Sequence, residues 1–220
     1  MPVYDSICSE FGFSKKADLA SAKLLASIVG EDGKTRLETI RRRFPKQVLL
    51  CGGSKKLADD LSSIVFEGFV IAADGATTTL LESGFGIDMI VTDLDGIIED
   101  QIEQNSVGTP VFLHAHGDNQ SSIRRHAEKF DGPLVGTCQC PPPPQLYNFG
   151  GFTDGDRAAC ICAELGTREI LLAGFDLDNP AEKAGKNIEI KRKKLAWAKR
   201  ILDMLRNQGV KIVPILELSK

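Results

Sequence analysis

The fold class of this chain is predicted most clearly by the stretch Met89-Ile90-Val91-Thr92-Asp93-Leu94-Asp95-Gly96. Its first half is a short apolar run without alternation, which is typical of a strand covered on both faces. Two carboxylates, Asp93 and Asp95, follow at once, and a glycine ends the stretch. In an open parallel sheet, ligands bind beyond the carboxyl ends of the strands, so these acidic side chains indicate a ligand site.

Six further strand-sized runs lie between residues 47 and 216, and several are separated by helical stretches. Strands that alternate with helices predict an α/β fold, in which right-handed crossovers build a mainly parallel twisted sheet flanked by helices. The predicted strands are Gln47–Cys51, Phe69–Ala73, Asp88–Thr92, Pro110–His114, Leu134–Thr137, Glu169–Ala173 and Lys211–Leu216. The predicted helices are Lys55–Val65, Gln120–Lys129, Asp154–Leu165 and Glu189–Asn207.

The residues before the first strand have a different pattern. Apolar positions in residues 14–29 recur at helical spacing, and Ser14 has the side chain of a helix N-cap. We therefore predict an N-terminal helical segment, residues 1–46, followed by an α/β domain, residues 47–220.

The composition argues against two classes of partner. The 220 residues carry a formal net charge of −3 and a pI near 5.7, so the chain offers no global field for a nucleic acid. The longest apolar stretches are strand-sized, far short of the roughly 20 residues that span a bilayer. The N-terminus lacks the charged and apolar regions of a leader. We expect a cytoplasmic protein with no membrane contact.

Six cysteines are too few for a disulfide scaffold in a chain of this length. Two Cys-x-Cys pairs, Cys138/Cys140 and Cys160/Cys162, raise the alternative of a metal-thiolate site. Because the second pair lies in a predicted helix, where neighbours two apart diverge, we favour small buried apolar side chains.

Glycines and polar residues collect after the predicted strands. Each signal is weak alone, since glycine can simply form a turn and Asp or Thr can cap a helix. Thr153 and Asp156 have the spacing of a capping box. Together they predict one site at the carboxyl edge of the sheet. Its candidate ligand-binding residues are Gly52, Gly53, Ser54, Asp74, Gly75, Asn119, Thr153 and Asp156, and Asp118, Asp154 and Arg157 lie in the same strand-end stretches.

Several carboxylates at one edge would repel one another without a cation among them. Mg²⁺ is the most economical cation, because it takes hard oxygen ligands and commonly binds one or two carboxylates plus substrate phosphates. On an extended strand Asp93 and Asp95 would face the same way and share one metal ion. The glycines let backbone N–H groups approach phosphates, so ATP fits the crevice.

Two histidines and one basic segment each allow two interpretations. His114 and His116 suit hydrogen-bonding roles near the site, with a transition-metal site as the alternative. The basic run Lys191-Arg192-Lys193-Lys194 is typical of a solvated helix face. Alternatively, the preceding loop, Ala181 to Asn187, folds over a phosphate ligand.

The strand-end motifs together resemble, in order and spacing, the archaeal 6-hydroxymethyl-7,8-dihydropterin diphosphokinase family. The resemblance covers roughly residues 47 to 218, and that family is distantly similar to the catalytic domain of thiamin pyrophosphokinase. One departure is that Cys51-Gly52-Gly53-Ser54 lacks the proline expected after its second small residue. The motifs that carry the resemblance are Cys51-Gly-Gly, Ala73-Asp-Gly-Ala76, Val91-Thr-Asp-Leu-Asp-Gly96, His114-Ala-His-Gly-Asp-Asn119 and Asn148-Phe-Gly-Gly-Phe-Thr-Asp-Gly-Asp-Arg157.

The resemblance implies transfer of the β,γ-diphosphate of ATP to a reduced hydroxymethylpterin, with release of AMP, in the synthesis of folate-type or tetrahydromethanopterin-type cofactors. It implies that Asp93, Asp95 and Asp118 hold Mg²⁺. The base is either Asp118 or Asp154, and Arg157 contacts phosphate. A homodimer is expected by analogy.

Two further implications concern the acceptor and the rival functions. Tyr147, Phe149 and Phe152 either wall the flat pterin or only anchor their loop.

A haloacid-dehalogenase-like phosphatase is a rival interpretation of Asp93-Leu-Asp-Gly96, although that family's motif ends in Thr and usually follows the first strand. A nucleotide-binding module without turnover, or a sugar-related transferase, would also be compatible with this fold.

Overall fold

The computed structural model describes residues 2–30, 33–179 and 187–216, without the side chains of 33–35. The predicted loop Ala181 to Asn187 therefore lies outside the described residues except at Asn187. The helices are α1 Pro2–Phe11, α2 Lys15–Val29, α3 Gly33–Arg42, α4 Leu57–Ser62, α5 Ala76–Glu82, α6 Ile98–Ser106, α7 Gln120–His126, α8 Asp154–Glu164 and α9 Ile188–Asn207. The strands are β1 Gln47–Cys51, β2 Phe69–Ala73, β3 Met89–Thr92, β4 Val111–Ala115, β5 Leu134–Cys138, β6 Glu169–Ala173 and β7 Lys211–Pro214.

The strands form one sheet in the order β5-β4-β3-β2-β1-β6-β7. β1 pairs in parallel with β2 and with β6, and the pairs β2/β3, β4/β5 and β6/β7 are parallel too. Leu50 of β1 lies opposite both Ile71 and Leu172, and all three are buried. The α/β fold with a mainly parallel sheet is confirmed.

The N-terminal helices also follow the prediction. Ser14 caps α2, and its hydroxyl accepts a hydrogen bond from the backbone N–H of Ala17 at 3.2 Å. Within the described residues, no helix is both long and apolar enough to cross a membrane.

Two helices were missed by the sequence analysis. α5 carries three consecutive threonines, Thr77 to Thr79, and threonine is a weak helix former. α6 buries the polar residues Gln101 and Asn105, so its inner face shows no apolar period. The strand limits were predicted within one residue except at the end of β7, which stops at Pro214 because proline cannot donate to the ladder.

The chain forms two compact units. The first comprises residues 1–43 and 92–150, and in it α2 and α3 pack against β5. The second comprises residues 44–91 and 151–220, and in it α8 packs against β1, β2 and α9. The predicted division at residue 46 stays a prediction.

Asn105 of α6 ties together two turns of the first unit. Its buried amide donates to the carbonyls of Thr109 and Pro133, both at 3.0 Å, and its oxygen accepts from the N–H of Gly132 at 2.9 Å. These bonds fix the residues that precede β4 and β5. The two strands in turn position the loops that follow them.

We expect Asn105→Ala to lower the free energy of unfolding by about 3 kcal/mol, because it removes three hydrogen bonds, one to a buried and two to part-buried backbone groups. Equilibrium unfolding in urea measures the loss. Ser106→Ala, an exposed neighbour on the same helix, should change stability by less than about 0.5 kcal/mol. Equal values for the two variants would contradict this role of Asn105.

Candidate functional site

The first glycine loop follows β1 and is held against the end of β6. The N–H groups of Gly52 and Ser54 donate to the carbonyls of Ala173 and Gly174, at 2.8 and 3.1 Å. A Cβ on Gly52 would lie 2.8 Å from the carbonyl oxygen of Gly174, so only glycine fits there. Gly53 is exposed, and the nearest atom to a Cβ there is 3.8 Å away. Gly53 is therefore the most open glycine of this loop, and Ser54 beside it is half-buried.

Two carboxylates reinforce the same loop. The Asp60 carboxylate accepts from the N–H of Gly174 at 2.8 Å, and Lys56 forms a 2.7 Å ion pair with Asp176. The hydrogen bond from Lys56 holds the pKa of the Asp176 carboxyl below its usual range. Because both carboxylates are engaged with protein groups, they hold the loop's shape.

Asp74, directly after β2, has an unusual backbone. Its φ of 45° lies in the left-handed region, which Asp tolerates better than most residues. Its N–H donates to the carbonyl of Val91 at 2.8 Å, and its own carbonyl accepts from the N–H and hydroxyl of Thr77. A carboxylate oxygen of Asp74 lies within 4.8 Å of one from Asp154, and both residues are half-buried. These paired oxygens suit a divalent cation.

The start of α8 holds the loop before it through a buried carboxylate. Asp156 and Thr153 form the predicted capping box, and Asp156 accepts from the N–H of Thr153 and from the N–H of Phe152, at 2.6 and 3.0 Å. Burial raises the pKa of the Asp156 carboxyl, which the hydrogen bonds of Thr153 oppose. Both oxygens of Asp156 thus act inside the chain, and its predicted ligand role stays a prediction.

Arg157 is buried as well. It is 2% exposed, and a terminal nitrogen of its guanidinium donates to the carbonyl of Phe152 at 3.2 Å. Gly151 has a φ of +84°, and a Cβ there would lie 2.3 Å from Cα of Arg157. This close packing fixes the turn before α8, while the predicted phosphate contact of Arg157 stays a prediction.

The geometry assumed for Asp93 and Asp95 is wrong. β3 ends at Thr92, and Leu94 has a φ of 68°. Asp93 and Asp95 therefore do not lie on an extended strand, which was the reason for expecting them to face the same way. The turn forms because the N–H of Leu94 bonds to the hydroxyl of Thr92 at 2.9 Å. Asp93 is half-buried and Asp95 is exposed. Their binding of metal stays a prediction.

The turn after β4 places His116 against Asp93. Nε2 of His116 lies 3.2 Å from a carboxylate oxygen of Asp93, and Nδ1 accepts from the N–H of Asp118 at 3.3 Å. Since Nδ1 is an acceptor, the proton of the neutral ring is on Nε2 and points at Asp93. The Asp118 side chain is exposed.

Asn119 closes that turn. Its amide nitrogen donates to the carbonyls of Asp93 and His114 at 2.9 and 2.7 Å, and its oxygen accepts from the N–H of His116. His114 lies buried with Nδ1 3.0 Å from the hydroxyl of Thr137. Both histidines have the hydrogen-bonding roles that were predicted for them, and Asn119 uses its whole amide to hold the turn.

Sequence analysis missed three residues that support this turn. Asp18 and Ser21 lie on the buried face of α2, and Gln139 follows β5. Asp18 accepts from the N–H of Gly117 and from Gln139, and the hydroxyl of Ser21 donates to the carbonyl of His116. The signal was present in the sequence: Asp18 and Ser21 share the helical period of Ala22 and Leu25, which places polar groups on an apolar face.

The aromatic residues after β5 form a small cluster in the first unit. The rings of Tyr147 and Phe149 stack with centroids 5.6 Å apart, and Phe112 of β4 meets Phe149 edge to face at 6.1 Å. The backbone of Tyr147 bridges to Thr137. Phe152 lies in the second unit, with the ammonium of Lys194 5.8 Å from its ring centre. Tyr147 and Phe149 are half-buried, and a role in binding pterin stays a prediction.

All six cysteines are free and buried, as the apolar reading predicted. Burial raises the pKa of Cys51, which ends β1, and of Cys160 in α8, each to about 12. Because the thiolate is the reactive form, these thiols are inert at neutral pH.

Iodoacetamide should therefore label the folded protein slowly at neutral pH, and all six thiols should react once urea unfolds the chain. Mass spectrometry of tryptic peptides separates the sites. Rapid labelling of Cys51 or Cys160 in the folded protein would contradict the pKa shift.

The glycine loop gives a second expectation. Gly52→Ala should lower the free energy of unfolding by about 2 kcal/mol, because its Cβ would overlap the backbone at Gly174. Gly53→Ala is the matched control and should keep near wild-type stability in thermal unfolding. A stable Gly52→Ala variant would refute the close crossing of the two loops.

The amino-acid sequence is similar to a known protein family and to three archaeal proteins. The family model described as 6-hydroxymethylpterin diphosphokinase MptE-like matches residues 24–182. A Pyrococcus furiosus protein named 6-hydroxymethyl-7,8-dihydropterin pyrophosphokinase is 41% identical over 219 residues, which cover 94% of this chain and 93% of that protein. Proteins of the same name from Methanothermobacter thermautotrophicus and Methanocaldococcus jannaschii are 39% and 31% identical, with 94% and 93% of this chain covered and 93% of each relative.

The match extends over the strand-end motifs from Cys51 to Arg157, and the resemblance predicted from those motifs is confirmed. The chain belongs to the MptE-like 6-hydroxymethylpterin diphosphokinase family.

Proposed function

We propose that this protein transfers the β,γ-diphosphate of ATP to 6-hydroxymethyl-7,8-dihydropterin in a Mg²⁺-dependent reaction. The hydroxymethyl oxygen attacks the β-phosphorus, the bond between that phosphorus and the α,β-bridging oxygen breaks, and AMP leaves. The observation that carries the proposal is family membership, at 41% identity to a relative over 94% of the chain.

The donor chemistry fits a divalent cation. Asp74 and Asp154 bring carboxylate oxygens within 4.8 Å of each other, and such hard oxygens are preferred Mg²⁺ ligands. Asp93 follows Val91 by two residues, and Val91 accepts a hydrogen bond from Asp74. We propose that Asp93 completes this set, with Asp95 and Asp118 as further candidates. The metal would neutralise charge on the phosphates.

The glycine-rich turns suit the nucleotide. Gly53 is exposed, and the N–H groups of the residues on either side of it are hydrogen-bonded to the end of β6. Gly75 is exposed directly after Asp74. A phosphate can approach glycine backbone closely because no side chain intervenes. We propose that Gly52, Gly53, Ser54, Asp74 and Gly75 line the ATP site.

Other predicted residues would shape the site and accept the proton. The bonds of Asn119 to the carbonyls of Asp93 and His114, and the capping box of Thr153 and Asp156, support a role in holding the ligand-facing turns in shape. Arg157 would fix the turn before α8, and a phosphate contact remains part of the proposal. Asp118 and Asp154 are the candidate bases, and the exposed Asp118 is free to reach a substrate hydroxyl.

For the acceptor, the stacked pair Tyr147 and Phe149 offers a flat aromatic surface that suits a planar pterin ring. The proposed small-molecule partners are ATP and a reduced pterin. We propose a cytoplasmic enzyme that has no nucleic-acid or membrane partner. A homodimer is proposed by analogy with other members of the fold.

Incubation with ATP, Mg²⁺ and 6-hydroxymethyl-7,8-dihydropterin should release AMP in step with loss of the pterin. Chelation of Mg²⁺ should stop the reaction. Release of ADP or inorganic phosphate instead, or no turnover, would contradict the proposal, and a fluoride-metal adduct on Asp93 would favour the phosphatase.

Asp93→Asn should reduce turnover at least 100-fold while the circular dichroism spectrum is retained, since it weakens the proposed ligand without changing its size. Asp131→Asn, the same change at an exposed residue between α7 and β5, should leave the rate near wild type. Full activity of Asp93→Asn would remove that residue from the metal site.

A further inference from the structure

We infer that Asp18 and Ser21 of α2 are positioning residues for Asp93, acting through the turn 116–119 and the imidazole of His116. The inference rests on the proposed function, in which Asp93 binds the metal. The N-terminal helices would then contribute to the reaction through residues that lie outside all of the strand-end motifs.

The first link is a buried carboxylate. Asp18 is 2% exposed, and Oδ1 accepts from the N–H of Gly117 at 2.7 Å. Oδ2 accepts from the hydroxyl of Tyr4 at 2.7 Å and from the amide of Gln139 at 2.9 Å. Burial and the bond to Asp18 raise the pKa of Tyr4, so its hydroxyl stays a donor. One charged group therefore joins α1, α2 and two strand-end loops.

The second link is a hydroxyl on the next turn of the helix. Ser21 is fully buried, and its Oγ donates to the carbonyl of His116 at 2.6 Å. A Cβ on Gly117 would lie 3.0 Å from Cβ of Ala17, which shows how closely the turn lies on α2. Both the carbonyl of His116 and the N–H of Gly117 are thus fixed by this helix.

The third link is the ring of His116. Nδ1 accepts from the N–H of Asp118, so the proton on Nε2 points at the Asp93 carboxylate, 3.2 Å away. A carboxylate that receives such a bond has one oxygen oriented and its rotation restricted. Outer partners of this kind typically change metal affinity or activity about 10- to 100-fold when they are removed.

The chain offers a matched pair of variants. Asp18→Asn removes the charge and turns the acceptor of Tyr4 and Gln139 into a donor, while Asp5→Asn makes the same change at an exposed residue of α1 paired with Lys15. Ser21→Ala removes only the hydroxyl, so it tests the inference if Asp18→Asn does not fold.

Two readouts separate positioning from stability. Side-chain ¹⁵N spectra of the protein without ligands report the tautomer of His116, whose signal is assigned by its loss in His116→Gln. Calorimetric titration of Mg²⁺ with α,β-methylene-ATP, at a temperature where every variant is folded, reports metal affinity without turnover.

We expect the wild-type and Asp5→Asn signals of His116 to show the Nε2–H form, and those of Asp18→Asn and Ser21→Ala to move toward a tautomer mixture. In these two variants Mg²⁺ affinity should fall roughly 10-fold or more. An unchanged His116 signal, or an altered signal with unchanged Mg²⁺ affinity, would overturn the positioning role. If Asp93→Asn bound Mg²⁺ as tightly as wild type, the proposed metal site itself would fail, which is a separate outcome.

Discussion

Parallel pairing of β1 with β2 and β6, and of β2 with β3, is the constraint on which the site depends. It places the carboxyl ends of neighbouring strands side by side, so the loops after them meet at one edge. The position of Asp74 depends directly on this pairing, because its N–H donates a hydrogen bond to the carbonyl of Val91 on the adjacent strand. Like charges at such an edge repel one another, and the proposed cation would offset that repulsion.

Many polar residues of the strand-end motifs serve the protein before any ligand. Asp156 bonds backbone groups of its own loop, Asn119 bonds the carbonyls of Asp93 and His114, and Asp60 bonds the N–H of Gly174. This use is physically necessary, because buried N–H and carbonyl groups without partners are costly. Some polar groups thus hold the turns, whereas the side chains of the proposed metal ligands Asp74, Asp93 and Asp154 are each half-buried.

The sequence predicted the fold well because the buried strands are continuous apolar runs with clear ends, as Gln47–Cys51 and Glu169–Ala173 show. It predicted the capping box at Thr153 from spacing alone. It failed where local conformation departs from a regular element, as at Leu94, whose positive φ breaks the extended backbone that was assumed for Asp93 and Asp95. It also missed Asp18, because the partners of that carboxylate are 14, 99 and 121 residues away along the chain.

The most direct test of the central claim is to replace Mg²⁺ with Mn²⁺ and follow paramagnetic broadening of backbone amide signals in the presence of α,β-methylene-ATP. Nuclei near the bound ion lose intensity first. The account predicts that substoichiometric Mn²⁺ broadens the signals of Asp74, Asp93 and Asp154 and of their chain neighbours before all others. Broadening that begins at other acidic residues, such as Asp59 or Glu82, or that spreads evenly over the surface, would contradict a metal site at the carboxyl ends of the strands.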